Sequence, residues 1–169
     1  KIYQKHISPD ENLRNWDIYF HSQKAPIAVR NRKQYFLDLL DKIRSHNQHD
    51  SLQILNIACG PCRDVYEYLE TTKDKNIHFH CLDYDPNAIK YALNICEKYS
   101  DQITFYHKNA LRFRSNLKFN LAWSAGLLDY FTDKQFKFML KKLYSLVTQD
   151  GEVVVGNFHP DNPSRDYME

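Results

Sequence analysis

The densest chemistry in the sequence lies in four residues, Cys59-Gly60-Pro61-Cys62. They stand between the apolar run Ile54-Leu55-Asn56-Ile57 and a segment whose apolar positions Val65, Tyr68 and Leu69 repeat at helical spacing. Two thiols separated by two residues at the start of a helix can exchange with a disulfide, because the helix N-terminus lowers a thiol pKa and the thiolate is the nucleophile. The same turn can do different work. Free backbone N–H groups and the positive end of the helix dipole attract a carboxylate or phosphate, and Gly60 lets a ligand approach the main chain.

The elements that must position this turn follow from periodicity. The spacing predicts a helix from Pro9 to about Gln23, with Leu13, Trp16 and Phe20 on one face, and a second helix entered through Pro26 and running from Ile27 to Arg44. Phe36, Leu39, Leu40 and Ile43 form the stripe of that second helix. Its first half carries Arg30, Arg32 and Lys33, which read as a solvated basic face; in the functional reading Tyr19, His21, Arg30 or Arg32 covers the site as a lid and holds an acidic substrate. A polar linker, His46 to Ser51, leads into the first strand.

Further strands are predicted at Ile77–Leu82, Ile103–Tyr106, Phe119–Trp123 and Glu152–Gly156. Helices are predicted from Asn87 to Tyr99 and from Asp133 to Val147. Strands alternating with helices give an α/β, doubly wound, Rossmann-like sheet that is mainly parallel, with five strands present. Two regions are expected, an N-terminal helical cap over 1–46 and the α/β core over 50–169.

Ligands of such sheets bind beyond the carboxyl ends of the strands. The residues there are Cys59–Cys62, Asp83–Asp85, His107–Ala110, Ser124–Tyr130 and Asn157–Pro163, which would lie along one rim. Asp83, 23 residues after Gly60, stands where a nucleoside fold places an acid on ribose hydroxyls; the plainer reading is a turn residue ahead of Asp85-Pro86. Asn109 offers a side-chain carbonyl to an adenine amino group, or again shapes a turn.

Composition sets the outer limits. The chain has 169 residues, enough for a substantial core, with 43% hydrophobic and 26% charged residues, which excludes a disordered class. A net charge of +2 gives no argument for a nucleic-acid partner, and no run approaches the roughly 20 apolar residues of a membrane span. With no signal sequence and four cysteines inside regular elements, a cytoplasmic protein with reduced thiols is expected. His78 and His80 share a strand face without a third ligand, so no metal is expected.

The ordered series Asn56-Ile57-Ala58-Cys59-Gly60-Pro61-Cys62, Leu82-Asp83-Tyr84-Asp85-Pro86, Lys108-Asn109-Ala110 and Phe119-Asn120-Leu121-Ala122-Trp123-Ser124 resembles the motifs of class I S-adenosylmethionine-dependent methyltransferases over about residues 50–160. The resemblance implies S-adenosylmethionine as cofactor. It implies that Asn56 and Ala58 to Cys62, with Cys59, Gly60 and Pro61 at the centre, wrap its methionine portion, that Asp83 binds the ribose and that Tyr84 packs on the adenine. It further implies that Asn109 and Ala110 meet the adenine edge and that Ser124 lies near the methionine end. Three positions depart from the family: Asn56 replaces an acid, and Ala58 and Cys62 replace glycines. The family sheet has seven strands, yet 14 residues follow Val155. Missing C-terminal strands, or a partner such as a second copy covering the edge, are therefore expected.

A narrower resemblance, on Tyr19-Phe20-His21-Ser22-Gln23-Lys24-Ala25-Pro26, Gly156-Asn157-Phe158-His159-Pro160 and Asn162-Pro163-Ser164-Arg165, is to bacterial methyltransferases linked to 3-hydroxy fatty acid methyl ester signals. It implies a carboxylate acceptor; the residues read as candidate contacts to a small-molecule acceptor are Tyr19, His21, Arg30, Tyr130 and Phe158. Trp16 joins Tyr19, Tyr130 and Phe158 as a candidate acyl-pocket aromatic, although such residues commonly serve the core. A carboxylate needs no general base. A hydroxyl or amine acceptor would draw on His159 or Asp129, whose plainer roles are a turn before Pro160 and a helix cap.

Two alternatives stay open. Cys59-Gly60-Pro61-Cys62 is, letter for letter, the thioredoxin redox motif, but Ala58 replaces the usual tryptophan, and no proline between Pro86 and Pro160 serves as the cis-proline. The other is a nucleoside-binding domain without catalysis. A phosphorylated dinucleotide is disfavoured by the lack of a full GxGxxG.

Overall fold

The computed structural model describes residues 2–47, 50–159 and 161–164. The chain divides into two compact units, residues 1–42 with 158–169, and residues 43–157. Sequence places the division between 46 and 50; the structure puts it inside a helix and groups the C-terminal segment with the N-terminal helices. Pro160 and Arg165, part of the narrower resemblance, lie outside the described residues.

In the first unit, α1 (Glu11–Ser22) starts at Asp10, whose side chain caps the Asn12 N–H. α2 (Lys24–His46) begins three residues before the predicted start and keeps Pro26 in its first turn, where a missing N–H costs nothing. Its stripe Phe36, Leu39 and Leu40 is buried as the spacing requires, but that of α1 is not: Trp16 is 70% exposed and Leu13 is also exposed. The buried residue of α1 is His21, whose Nε2 lies 2.9 Å from the His6 carbonyl oxygen. That helix is therefore anchored by a polar contact, which hydrophobic periodicity does not register. The C-terminal segment reaches the same unit through the Ala25 N–H, which donates to Ser164 Oγ at 3.4 Å.

The second unit is a five-stranded sheet. β1 (Leu52–Ile57), β2 (Ile77–Asp83), β3 (Ile103–His107), β4 (Phe119–Ala125) and β5 (Val147–Gly156) pair in the order β3-β2-β1-β4-β5, every pair parallel. Strand order reverses between β1 and β4, so the crevice beyond their carboxyl ends is the switch point. α3 (Arg63–Thr71) sets Tyr68 edge-on to Phe79 of β2, and α4 (Pro86–Ile95) packs on β2 and β3. α5 (Asp133–Leu146) packs on β4 and β5, where Met139, Leu143 and Leu146 join Leu55, Ile57, Phe119 and Ala122 in one core. Before β1, Arg44 bonds the carbonyls of Asn47, Asp50 and Asn76 and pairs with Asp74, fixing the linker to the loop before β2.

Several boundaries differ from the periodicity, and three of them bear on local structure. The helix expected to reach Tyr99 stops at Ile95, because Cys96 leaves helical geometry (φ −98°, ψ 8°) and a short 3-10 turn, Glu97–Tyr99, follows. β4 continues through Ser124 to Ala125, and α5 is capped by Thr132 and Gln135 in a reciprocal capping box rather than by Asp129. β5 starts at Val147, opposite Phe119, and then slips register before Glu152 pairs with Leu121. Gly151 sits in that irregularity, where an added Cβ would lie 2.8 Å from the Phe119 carbonyl oxygen and 2.9 Å from Val147 Cβ. Gly151→Ala is therefore expected to cost about 1–3 kcal/mol, read as a lowered urea midpoint with unchanged slope. An unchanged midpoint would show that the bulge relaxes freely.

Candidate functional site

The turn after β1 is shaped by backbone strain and by one acid. Ala58, Gly60 and Cys62 all have left-handed φ, at 55°, 54° and 50°, an arrangement that costs a side-chain-bearing residue roughly 1–2 kcal/mol. Ala58 and Cys62 thus occupy glycine-like conformations at the two positions where the family pattern has glycine. The Cys59 N–H donates to the Leu82 carbonyl at 3.1 Å, tying the turn to the end of β2. Asp83, the last residue of β2, then accepts the Gly60 N–H on Oδ2 at 2.7 Å and the Asp85 N–H on Oδ1 at 2.9 Å. An ionised carboxylate has about four acceptor positions, so two remain for hydroxyl donors. Beside Gly60 the space is open: apart from its two chain neighbours, no residue comes within 4 Å of an added Cβ.

The helix N-terminus differs from expectation. The Asp64 side chain accepts the Val65 N–H at 2.9 Å and is buried, so α3 supplies its own carboxylate where an external anion was anticipated. Burial raises the Asp64 pKa to about 6, against the Val65 N–H, which lowers it. Asn56, buried at the end of β1, also lowers it, although among the described residues no acceptor meets Asn56 Nδ2 in hydrogen-bond geometry. The role of Asp64 is invisible in sequence, where it reads as an ordinary acid in a first helical turn. Cys81, beside Asn56 in the register of β1 and β2, was equally anonymous.

The remaining cofactor candidates take varied positions. Pro61 is exposed in the turn. Tyr84 is exposed beyond β2; its carbonyl lies 3.0 Å from His107 Nε2, and the two rings are tilted together. Asn109 Oδ1 accepts the Leu111 N–H at 2.9 Å and caps the 3-10 turn Ala110–Arg112, which is the turn-residue role. Buried Ala110 and its neighbour Leu111 are held through their carbonyls by Lys142 Nζ, at 3.1 and 2.8 Å. Ser124 is fully buried, and its hydroxyl links β4 to β1 through the Ile57 carbonyl at 3.2 Å.

The methyltransferase-domain family model matches residues 54–151, from within β1 into β5. The chain belongs to the methyltransferase-domain family.

Solved structures agree on the fold. A possible exported protein from Bordetella parapertussis is 18% identical with a TM-score of 0.73, over 89% of this chain and 48% of that one. The N-methyltransferase NodS from Bradyrhizobium japonicum, in complex with S-adenosyl-L-homocysteine, is 18% identical with a TM-score of 0.64, over 99% of this chain and 78% of that one. An amino pentose methyltransferase from Micromonospora echinaspora, with S-adenosylmethionine bound, is 15% identical with a TM-score of 0.62, over 83% of this chain and 58% of that one. The methyltransferase domain thus lies in a chain spanning about half the length of the Bordetella protein. No curated protein matches.

S-adenosylmethionine is the cofactor that this family implies, and the residues present fit it. The Asp83 carboxylate keeps acceptor capacity for a ribose, and the strained turn leaves open space at Gly60 for close approach to the main chain.

The acceptor and acid–base candidates divide between the units. In the methyltransferase unit, Asp129 and Tyr130 lie in a 3-10 turn after β4, and Tyr130 is 85% exposed. In the other unit, Arg30 donates to the His21 carbonyl at 2.8 Å, which gives both residues a place in the polar anchor of α1. Tyr19 is exposed and Phe158 half-buried. His159 is exposed, and its Nδ1 accepts the Asp161 N–H at 3.2 Å. Trp16, Tyr19 and Tyr130 are all exposed, so none of the three is a core aromatic. Among the described residues no cluster of metal-ligating side chains occurs, and no helix is long and apolar enough to cross a membrane.

Proposed function

We propose that this domain binds S-adenosylmethionine across the β1 and β2 ends and transfers its methyl group to a small-molecule acceptor. The observation that carries the reading is the Asp83 carboxylate, which secures the Gly60 N–H of the strained turn and still has acceptor positions for hydroxyls. The bound cofactor supplies an electrophilic methyl on a sulfonium. The protein's share is positioning and the exclusion of water, because in-line attack needs little else from side chains. Asp83 orients the ribose, Tyr84 and the Asn109–Ala110 turn receive the base, and Ala58 to Pro61 surround the methionine portion.

For the acceptor we favour a carboxylate, following the narrower sequence resemblance to fatty acid methyl ester synthases. A carboxylate attacks as the anion and leaves Asp129 without an obligatory role as base. Tyr130, exposed beyond β4, is the acceptor contact within the methyltransferase unit. β5 is an edge strand of the described sheet, and we place a pairing partner there, from this polypeptide or a second copy.

Calorimetric titration of the reduced protein with S-adenosylmethionine and S-adenosylhomocysteine, with NADP as control, tests the cofactor assignment. Saturable one-to-one binding of the first two and none of NADP is expected. A folded sample that binds neither sulfur nucleoside would overturn it. Incubation with labelled cofactor and 3-hydroxy fatty acids then tests the acceptor, with base-labile methyl ester as the expected product.

A further inference from the structure

Methyl transfer uses no thiol, yet the cofactor turn holds two, Cys59 and Cys62, and a third, Cys81, stands on the adjoining β2. Cys59 and Cys62 stand at the two ends of one four-residue turn, Cys81 lies on the adjoining β2, and the Cys59 S–H donates to the Gly60 carbonyl at 3.5 Å. Their states are complementary: the Cys62 and Cys81 thiols pull the Cys59 pKa down to about 5, against burial and the nearby Asp83 charge. Burial pushes Cys62 and Cys81 up, so they stay protonated. Cys59 is therefore the most readily ionised of the three, and becomes the thiolate once its proton leaves the Gly60 carbonyl. Cys59 is also the one with residual exposure, 9% against 0% for the other two.

The turn geometry suits a cross-link. The Cys62 N–H donates to the Cys59 carbonyl at 3.1 Å, which closes a four-residue turn and brings the two Cα atoms within about 7 Å. A disulfide spans about 4.4–6.8 Å between Cα atoms. Cys81 sits on the adjoining strand, opposite Asn56 in the register, and its thiol favours the ionised form of Cys59.

We propose that Cys59 and Cys62 form a peroxide-sensitive dithiol pair that switches the cofactor turn off when oxidised. The Cys59 thiolate attacks one oxygen of hydrogen peroxide, the O–O bond breaks, and the departing hydroxide takes a proton to become water. This leaves a sulfenic acid on Cys59. The Cys62 sulfur then attacks the Cys59 sulfur, the S–O bond breaks, and the second hydroxide leaves with the Cys62 proton as water. Two thiols and one peroxide give one disulfide and two waters, and a dithiol reductant reverses the change. The bond draws the sulfurs to about 2.05 Å, which forces a shift in a turn already carrying three left-handed residues and moves the Gly60 N–H relative to Asp83.

The switching effect rests on the cofactor reading above, but the cross-link does not, so the two can fail separately. Trypsin places Cys59 and Cys62 in one peptide, Ser45–Arg63, and Cys81 in another, Asn76–Lys90. The full chain is reduced, treated with hydrogen peroxide, blocked with N-ethylmaleimide and mapped by mass. The expected result is Ser45–Arg63 lacking two hydrogens and unlabelled, restored by reductant, with the oxidised protein binding S-adenosylmethionine at least tenfold more weakly. In Cys62→Ser the Cys59 sulfenic acid persists and is trapped by dimedone. Cys81→Ala moves the pH profile of Cys59 alkylation upward, a readout that a purely packing role would leave in place. Maleimide on both cysteines after peroxide, a link joining the two peptides, or a cross-link without loss of affinity overturns the proposal. Failure of the reduced protein to bind cofactor would overturn the cofactor reading, while the peptide map still decides the thiol pair.

Discussion

Asp83→Ala is expected to weaken S-adenosylmethionine binding by about a hundredfold or more, while leaving the fold intact. The carboxylate accepts backbone N–H groups from Gly60 and Asp85 and has two acceptor positions over. Hydrogen bonds to a charged group contribute roughly 1.5–3 kcal/mol each. Losing two ribose hydroxyl contacts therefore removes about 3 kcal/mol or more, and every 1.4 kcal/mol is tenfold. Asp83→Asn keeps one acceptor oxygen and should fall between wild type and alanine. Cys62→Ala, which removes a buried side chain but no group aimed at the ligand, should lower stability more than affinity. Titration calorimetry of the three variants, alongside their urea midpoints, separates the effects. If Cys62→Ala loses more affinity than Asp83→Ala, the ribose assignment is wrong.

The parts of this molecule legible from sequence are those in which periodicity and turn chemistry agree. Each strand core, the Gly60-Pro61 turn and the acid at the end of β2 were fixed by short-range pattern, and the parallel sheet followed from alternation. What escaped were contacts between groups distant in sequence. Asp64 reads as a first-turn acid, and its burial beside Asn56 depends on how α3 enters the sheet. In α1, Leu13 and Trp16 have helical spacing yet face solvent, because His21 and Arg30 fix that helix instead. Polar anchors of this kind leave no periodic trace. The division into units was hidden for a similar reason: it falls within one continuous helix, α2, which has no linker to betray it.

Two buried groups are expected to give opposite pH dependences of stability, and single substitutions should unmask each. Burial raises Asp64 from 3.8 to about 6. Between those values the folded state holds a proton that the unfolded chain has released, so the Asp64 contribution to stability falls as pH rises. At 1.36 kcal/mol per pKa unit the loss is about 3 kcal/mol, complete above about pH 6. His80 runs the other way. Its ring nitrogens meet Tyr106 Oη at 3.0 Å and Gln53 Oε1 at 2.9 Å, and burial, aided by the neighbouring His78, lowers its pKa from 6.5 to about 4. In that window the unfolded chain binds the extra proton, so stability rises with pH by a similar amount. In wild type the two slopes largely offset each other. Asp64→Asn should therefore gain about 2–3 kcal/mol relative to wild type between about pH 4 and pH 7. His80→Gln should lose relative stability over the same range. Urea unfolding of the three proteins at stepped pH measures the differences directly. Parallel profiles for all three would mean that neither buried group titrates with the shifted pKa its surroundings impose.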